Sequence, residues 1–392
     1  MMSKKKIAIV HGPLVIGGAE KSLINLLQYV DYTKYEVTLF LKDASGEMMN
    51  QINSAVKVSY WGKHIELDYK SYLLSNLKTG HIFSSIKSIY NRCLSRLFVK
   101  NWYYNFKYYL KSLPLLSEEY YDVAISYHSL VRDDPMILFN LLKSKKKIGW
   151  IHGACRHDKK GTYYRPFSKE YSQLDYLFCV SESVKSIFLE KYPEMRGKTG
   201  VMYNLQNFEL IRELAKEVTD VRFNGFTIVT VGRLSEEKGQ EMIPEIASLL
   251  SAKGIDFTWY LVGDGSMKER IKNSLANNKM DNRVILLGAK ANPYPYIMNC
   301  DLYVQPSFSE GFCVTTFEAL VLKKPIIATD VPGMKEQFSE GGAILCEPSI
   351  ESITKAIIAY KNGSSHIRVN KRNYDDNYNI KEISKLYRVI ED

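Results

Sequence analysis

The chain is predicted to be an α/β protein of two domains, each a doubly wound parallel sheet. Three observations predict this. Short apolar runs alternate with amphipathic helical patterns along nearly all of its length. The runs are apolar at consecutive rather than alternate positions, as in strands covered on both faces. The alternation also stops and restarts once, near residue 226. A length of 392 residues suits two such domains.

KKIAIVHG is read as the first strand, and AEKSLINLLQYV as the helix after it, with apolar residues at 23, 26, 27 and 30. YEVTLFL, YDVAISYHS, KKKIGWIHG and YLFCVSE follow as strands, with ESVKSIFLEKY a helix after the last. The second cycle has strands in FTIVTVGRL, FTWYLVGDG, RVILLGAK, DLYVQPSF, KPIIATD and GAILCE. Between the cycles, VMYNLQNFELIRELAKEVTDVRFNG holds the linker. The expected domains are 1–205 and 206–374, with a final helix at about 375–392. Two such sheets in one chain place a ligand at the carboxyl ends of their strands, in a cleft between domains.

Composition narrows the function. No apolar run reaches the roughly 20 residues that span a membrane. The opening MMSKKKIAIVHG carries lysines, but its apolar part is too short for a signal sequence. Cysteines 93, 155, 179, 300, 313 and 346 have no CxxC or disulfide spacing, which suits a reducing compartment. Net charge is +10 and the pI about 9.0, which favours anionic partners. With no zinc finger, aromatic RNA-binding motif or basic recognition helix, nucleic acid is not the expected partner.

EGFCVTTFE follows the strand in DLYVQPSF and leads into the helix EALVLKK, so Glu310 and Glu318 flank one helix N-terminus. Such a terminus attracts phosphate, and carboxylates accept hydrogen bonds from hydroxyls. A diphosphate with a sugar on one side and a ribose on the other fits that pattern. An ordinary helix with a capping glutamate and a surface glutamate fits equally well. GRLSEEKG, at the end of FTIVTV, favours the phosphate reading, because Arg233 and Lys238 stand at the same sheet mouth.

Other loops carry weaker signals. Gly17 and Gly18 open a helix and admit an anion or simply make a tight turn; they form neither a Walker A loop nor G-x-G-x-x-G. His152 ends a strand, where an imidazole can bond a sugar or phosphate oxygen. His152, Cys155 and His157 lack further ligands at metal spacing, so no metal is expected. Arg156, Lys159 and Lys160 make that loop basic. Backbone groups at Gly288, Ala289 and Lys290 can meet a nucleobase edge. In residues 86–111, positions 86, 89, 90, 93, 94, 97 and 98 form one apolar stripe, and Arg92, Arg96 and Lys100 a basic row. Two readings are open: a helix at an anionic membrane surface, or a core-facing pair with a solvated basic edge.

GGAEKS, WIHG, VSESVK, GRLSEEKG, VGDGS, LLGAKANPY and EGFCVTTFEAL occur in this order. Together they resemble the retaining family-four glycosyltransferases (glycosyl transferases group 1), over about residues 5 to 360. The resemblance implies the GT-B fold, two Rossmann-like domains, and a metal-independent, hexosyltransferase-type enzyme using a nucleotide sugar, UDP being the commonest carrier. It implies that Arg233 and Lys238 bind the diphosphate, that Glu310 holds the donor sugar, and that Glu318 binds the ribose. It places His152 near the donor sugar, and Gly17 and Gly18 over the phosphates. Gly288, Lys290, Gly311, Phe312, Cys313, Val314 and Thr315 are the further donor contacts it leads one to expect. No cofactor is expected beyond the nucleotide-sugar co-substrate. The expected acceptor is a glycan carried on a lipid, in cell-surface polysaccharide or capsule synthesis. The expected location is cytoplasmic, peripheral at the inner face of the membrane. A nucleotide-sugar epimerase or hydrolase, and a non-catalytic partner subunit, are the alternatives. Cys313 departs from the Gly, Ser or Pro frequent in the family after EGF.

Overall fold

A computed structural model describes residues 3–129, 133–153, 168–368 and 374–392, with the side chains of 168 and 169 excepted. It divides into two compact units. The first holds residues up to Val180, Lys185–Met202 and Ile383–Asp392; the second holds Ser181–Val184 and Tyr203–Glu382.

The first unit contains strands β1 (Lys5–His11), β2 (Tyr35–Leu41), β3 (Lys57–Tyr60), β4 (Tyr120–Ser126), β5 (Lys143–Ile151), β6 (Tyr176–Cys179) and β7 (Thr199–Val201). They form one seven-stranded sheet in the order β3-β2-β1-β4-β5-β6-β7. Every pairing is parallel, with Ile7 of β1 in register with Val37 on one side and Val123 on the other. Ile7, Ala8, Ile9 and Val10 are all buried, which explains the unbroken apolar run in sequence. β3 and β7, which no apolar run announces, are the two edges of the sheet.

The second unit contains β8 (Thr227–Val231), β9 (Thr258–Val262), β10 (Val284–Gly288), β11 (Leu302–Gln305), β12 (Ile326–Thr329) and β13 (Ile344–Cys346). Their order is β10-β9-β8-β11-β12-β13, again all parallel. Its core gathers Ile228, Ile243, Ile246, Leu250, Trp259 and Ile271. Buried Trp259 satisfies its indole N–H on the Thr230 hydroxyl at 3.0 Å.

In both sheets the chain starts in the middle, builds one half, then returns to build the other. The reversal lies between β1 and β4 in the first unit and between β8 and β11 in the second. At such a switch point neighbouring loops part in opposite directions and leave a crevice beyond the strand ends.

The closing helix, Asp376–Glu391, contributes to both units. Asn379 exchanges hydrogen bonds with the Gln206 backbone in the second unit (3.1 and 2.7 Å). In the first unit Tyr387 stacks on Tyr35 with ring centres 5.0 Å apart, and Glu391 pairs with Lys5 at 2.5 Å.

Candidate active site

At the second unit's switch point, the turn after β8 and the loop after β11 are tied together by backbone. Phe308 N–H and Ser309 N–H donate to the Glu237 carbonyl at 2.9 and 3.3 Å. Gly239 makes this approach possible. Its φ is +68°, and a Cβ there would lie 2.0 Å from the Pro306 carbonyl oxygen. Gly263 serves the same end between β9 and β8, where a Cβ would meet the Gly232 oxygen at 1.9 Å.

That clamp brings Lys238 to Glu310. Lys238 Nζ donates to Glu310 Oε1 at 2.7 Å, and the Ser307 hydroxyl donates to the same oxygen at 2.7 Å. Gln305 Nε2 donates to the Ser307 hydroxyl at 3.0 Å, and the Tyr303 hydroxyl to Gln305 Oε1 at 3.0 Å. A buried polar chain thus runs from the sheet centre to the site. Glu310 is 7% exposed. Burial alone would lower the Lys238 pKa, but Glu310 outweighs it and holds the ammonium above its usual range. Both bonds use Oε1, and Oε2 of Glu310 takes no hydrogen bond from a described residue.

Arg233 is exposed at the same mouth. Its carbonyl is bonded by Gln240 Nε2 at 3.0 Å, which fixes the backbone while the guanidinium makes no ion pair with a described residue. The helix Val314–Val321 begins here, and its N-cap, Cys313, supplies no side-chain cap. The helix therefore starts four residues after Glu310 with its first N–H groups and the positive end of its dipole uncapped by a side chain. Gln337 braces this end: its amide donates to the Cys313 carbonyl and the Thr316 hydroxyl (3.3 and 3.0 Å) and accepts from Cys313 N–H at 3.3 Å. Burial pushes the Cys313 thiol up to about 11, so it stays neutral. Phe312, Cys313 and Val314 are buried, and a Cβ at Gly333 would meet the Glu310 and Gly311 carbonyls.

Glu318 lies deeper. It is 0% exposed, and the Tyr294 hydroxyl donates to Oε1 at 3.3 Å. Gly288 ends β10 with φ +73°. The Lys290 ammonium is held by Asp220 at 2.5 Å.

The first unit assembles a second cluster at its own switch point. Gly17 caps the helix Gly18–Tyr29 in extended conformation. A Cβ on Gly17 would lie 2.3 Å from a Glu20 carboxylate oxygen. Glu20 stands 3.7 Å from His11 Nε2, and Asp134 stands 3.7 Å from His11 Nδ1. All three side chains are buried. Burial pulls the His11 pKa down, but Asp134 and then Glu20 overcome it and raise it to about 9. His152 lies beside Tyr127, with ring centres 4.6 Å apart, and stacks near His128 at 6.0 Å. Burial, reinforced by His128 and His11, holds His152 neutral, well below its ordinary 6.5. Cys155, Arg156, His157, Lys159 and Lys160 lie outside the described residues.

The structure therefore gathers Arg233, Lys238, Glu310 and the 311–315 turn in one unit, and Gly17, Gly18 and His152 in the other. Sequence reasoning missed Ser307, Gln305 and Gln337, although two polar residues closing an apolar strand were a usable signal. It also missed His11, Glu20, His128 and Asp134, which no local spacing links.

Residues 212–379 match the model of the family described as glycosyl transferases group 1. An uncharacterized glycosyltransferase of Methanocaldococcus jannaschii, MJ1059, is 25% identical over 236 residues, 56% of this chain and 58% of that protein. The poly(glycerol-phosphate) alpha-glucosyltransferase of Bacillus subtilis is 26% identical over 240 residues, 58% of this chain and 35% of that one. The chain spans little more than half the length of the first curated relatives it matches. Among solved structures, Anabaena Alr3699/HepE in complex with UDP and glucose superposes with a TM-score of 0.67 at 16% identity, covering 99% of both chains. A glycosyltransferase from Rickettsia africae gives 0.66 at 18% identity, covering 99% of this chain and 98% of that one. Residues 212–379 are thus a glycosyl transferases group 1 domain, in a chain whose two Rossmann-like units have the GT-B fold.

Proposed function

We propose that this chain is a retaining glycosyltransferase. It moves a hexose from a nucleotide diphosphate carrier, UDP, to a lipid-linked glycan acceptor in cell-surface polysaccharide synthesis, with no divalent metal. The observation that carries the reading is Glu310. One of its carboxylate oxygens is fixed by Lys238 and Ser307, and the other is open to a sugar hydroxyl.

The chemistry follows from charge. Cleaving the anomeric C–O bond leaves negative charge on the β-phosphate and positive character on the sugar ring. Arg233, Lys238 and the uncapped N-terminus of Val314–Val321 are preorganised for that anion. They need no reorganisation when the charge develops, and they take the place a metal ion holds in other phosphate sites. The Glu310 carboxylate, adjacent to the ring, orients hydroxyls and favours the developing cation. Attack by the acceptor on the same face, with the leaving phosphate taking its proton, gives retention. Glu318 is assigned to the ribose, and that role requires the Tyr294 side chain over it to shift on binding. The roles of Gly17, Gly18 and His152 toward the donor rest on the family resemblance alone.

The experiment is a screen of nucleotide sugars for diphosphate release, with and without polyprenyl-linked glycan acceptors. Acceptor-dependent release from a UDP-sugar is expected. Equal release without acceptor would make the protein a hydrolase, and no release from any donor would overturn the assignment.

A further inference from the structure

Of the helices Tyr69–Lys78, Ile82–Leu97 and Trp102–Lys111, inserted between β3 and β4, the second is amphipathic in the reverse sense. In Ile82–Leu97 the buried residues are Ser85, Ser88, Asn91 and Ser95. The polar face is turned inward, where Ser88, Asn91 and Ser95 find backbone carbonyl partners. Tyr69 and Ser88 share a hydroxyl hydrogen bond at 2.9 Å, and the Ser88 hydroxyl also donates to the Ser112 carbonyl. Asn105 Nδ2 donates to the Ser95 carbonyl at 2.9 Å. Arg92 is sandwiched between the rings of Tyr69 and Tyr109, 4.8 and 4.3 Å from their centres. From the helix Trp102–Lys111, Lys107 pairs with buried Glu170 at 3.0 Å and anchors the insert to the unit. This packing fixes which way the helix faces, so the apolar stripe is left outside.

That stripe is well exposed: Phe83 is 89% accessible, Leu97 78%, Tyr90 63% and Ile86 57%. At ~100° per residue, positions 82, 83, 86, 89, 90 and 97 fill an arc of about 120°. Lys87 flanks one side of the arc and Arg96 the other. From Tyr69 to Ser117 the chain has eight Lys or Arg and no Asp or Glu. Lys78, Lys87, Arg96 and Lys100 are exposed around the stripe.

We infer that this face docks on an anionic lipid bilayer, with the stripe in the interface and the cations on the headgroups. A continuous apolar arc costs free energy in water and gains it at a membrane interface. A rim of cations without one carboxylate selects a negatively charged surface. A protein groove of mixed charge would leave these cations unmatched. The docking face is independent of the transfer chemistry, so its failure and that of the functional reading are separately visible.

The test is co-flotation of the purified full chain with phosphatidylcholine vesicles, with or without phosphatidylglycerol. Binding only to the anionic vesicles is expected, weakening as salt is raised. Phe83→Ser with Leu97→Ser should reduce it by roughly tenfold or more. Lys87→Gln should reduce it roughly fivefold, and Arg96→Gln by the same factor. Val218→Ser, at an apolar residue 97% exposed in the second unit, should leave it unchanged. These side chains face solvent, so folding should survive, as monitored by circular dichroism. Absence of binding to anionic vesicles, or equal binding by the Phe83/Leu97 variant, overturns the proposal. So does concentration-dependent dimerisation that the same variant abolishes, since the face would then belong to a second copy.

Discussion

Lys238→Met removes the ammonium of the Lys238–Glu310 pair while keeping most of the side-chain volume. Glu310, 7% exposed, then retains only the Ser307 hydroxyl at 2.7 Å. Breaking a buried ion pair by deleting one partner costs about 3–5 kcal/mol. The Lys238 side chain is 23% exposed, so solvent relieves part of this, and about 2–3 kcal/mol is expected for the second unit. Glu310→Gln in the same background removes the stranded charge and should restore at least about half of the loss. Native-state hydrogen exchange of the amides in β8–β12 reads the effect directly, since their slowest exchange reports opening of that sheet. A single variant within about 0.5 kcal/mol of the parent, or a strictly additive double-variant cycle, would refute the coupling.

Two further outcomes follow from the same geometry. The folded pKa of His11, about 9, lies above the ordinary 6.5, so the folded first unit holds this proton more tightly than the unfolded chain. The stabilisation is therefore complete below about pH 6.5 and is lost as pH rises through 9. At 1.36 kcal/mol per pH unit, the span is about 3 kcal/mol. Exchange protection of β1 and β4 should fall accordingly between pH 6.5 and 9.5, and His11→Gln should flatten the profile; a flat parent profile would contradict the assignment. Gly239→Ala forces a Cβ against the Pro306 carbonyl at φ +68°, costing at least about 1–2 kcal/mol and displacing Lys238 from Glu310. Calorimetry should show UDP affinity reduced by roughly tenfold or more, and unchanged affinity would show that the clamp does not position the diphosphate site.

Much of the fold was legible because a strand buried on both faces leaves an unbroken apolar run. β3 and β7 escaped for the same reason in reverse. β3, at the edge, is largely exposed and reads KVSY, and β7 has only three residues. At the site, Arg233, Lys238 and Glu310 were visible because each follows a strand in a motif. Their pairing was not, since it spans 72 positions and depends on Gly239 letting two loops meet. The His11–Glu20–Asp134 cluster was invisible because only the sheet brings its members together. Periodicity found the stripe at 86–98 but not its direction. A helical pattern is blind to which face is buried, and only the Ser and Asn contacts with the neighbouring helices decide it.

The central claim is that Glu310 acts on the sugar and Lys238 on the diphosphate. Its most direct test is the kinetics of Glu310→Gln with the donor and acceptor identified by the screen, alongside the variant's affinity for UDP. Turnover should fall by roughly 100- to 1,000-fold, while UDP binding stays within about threefold of the parent. Undiminished turnover, or a loss of UDP binding as large as the loss of rate, would contradict it.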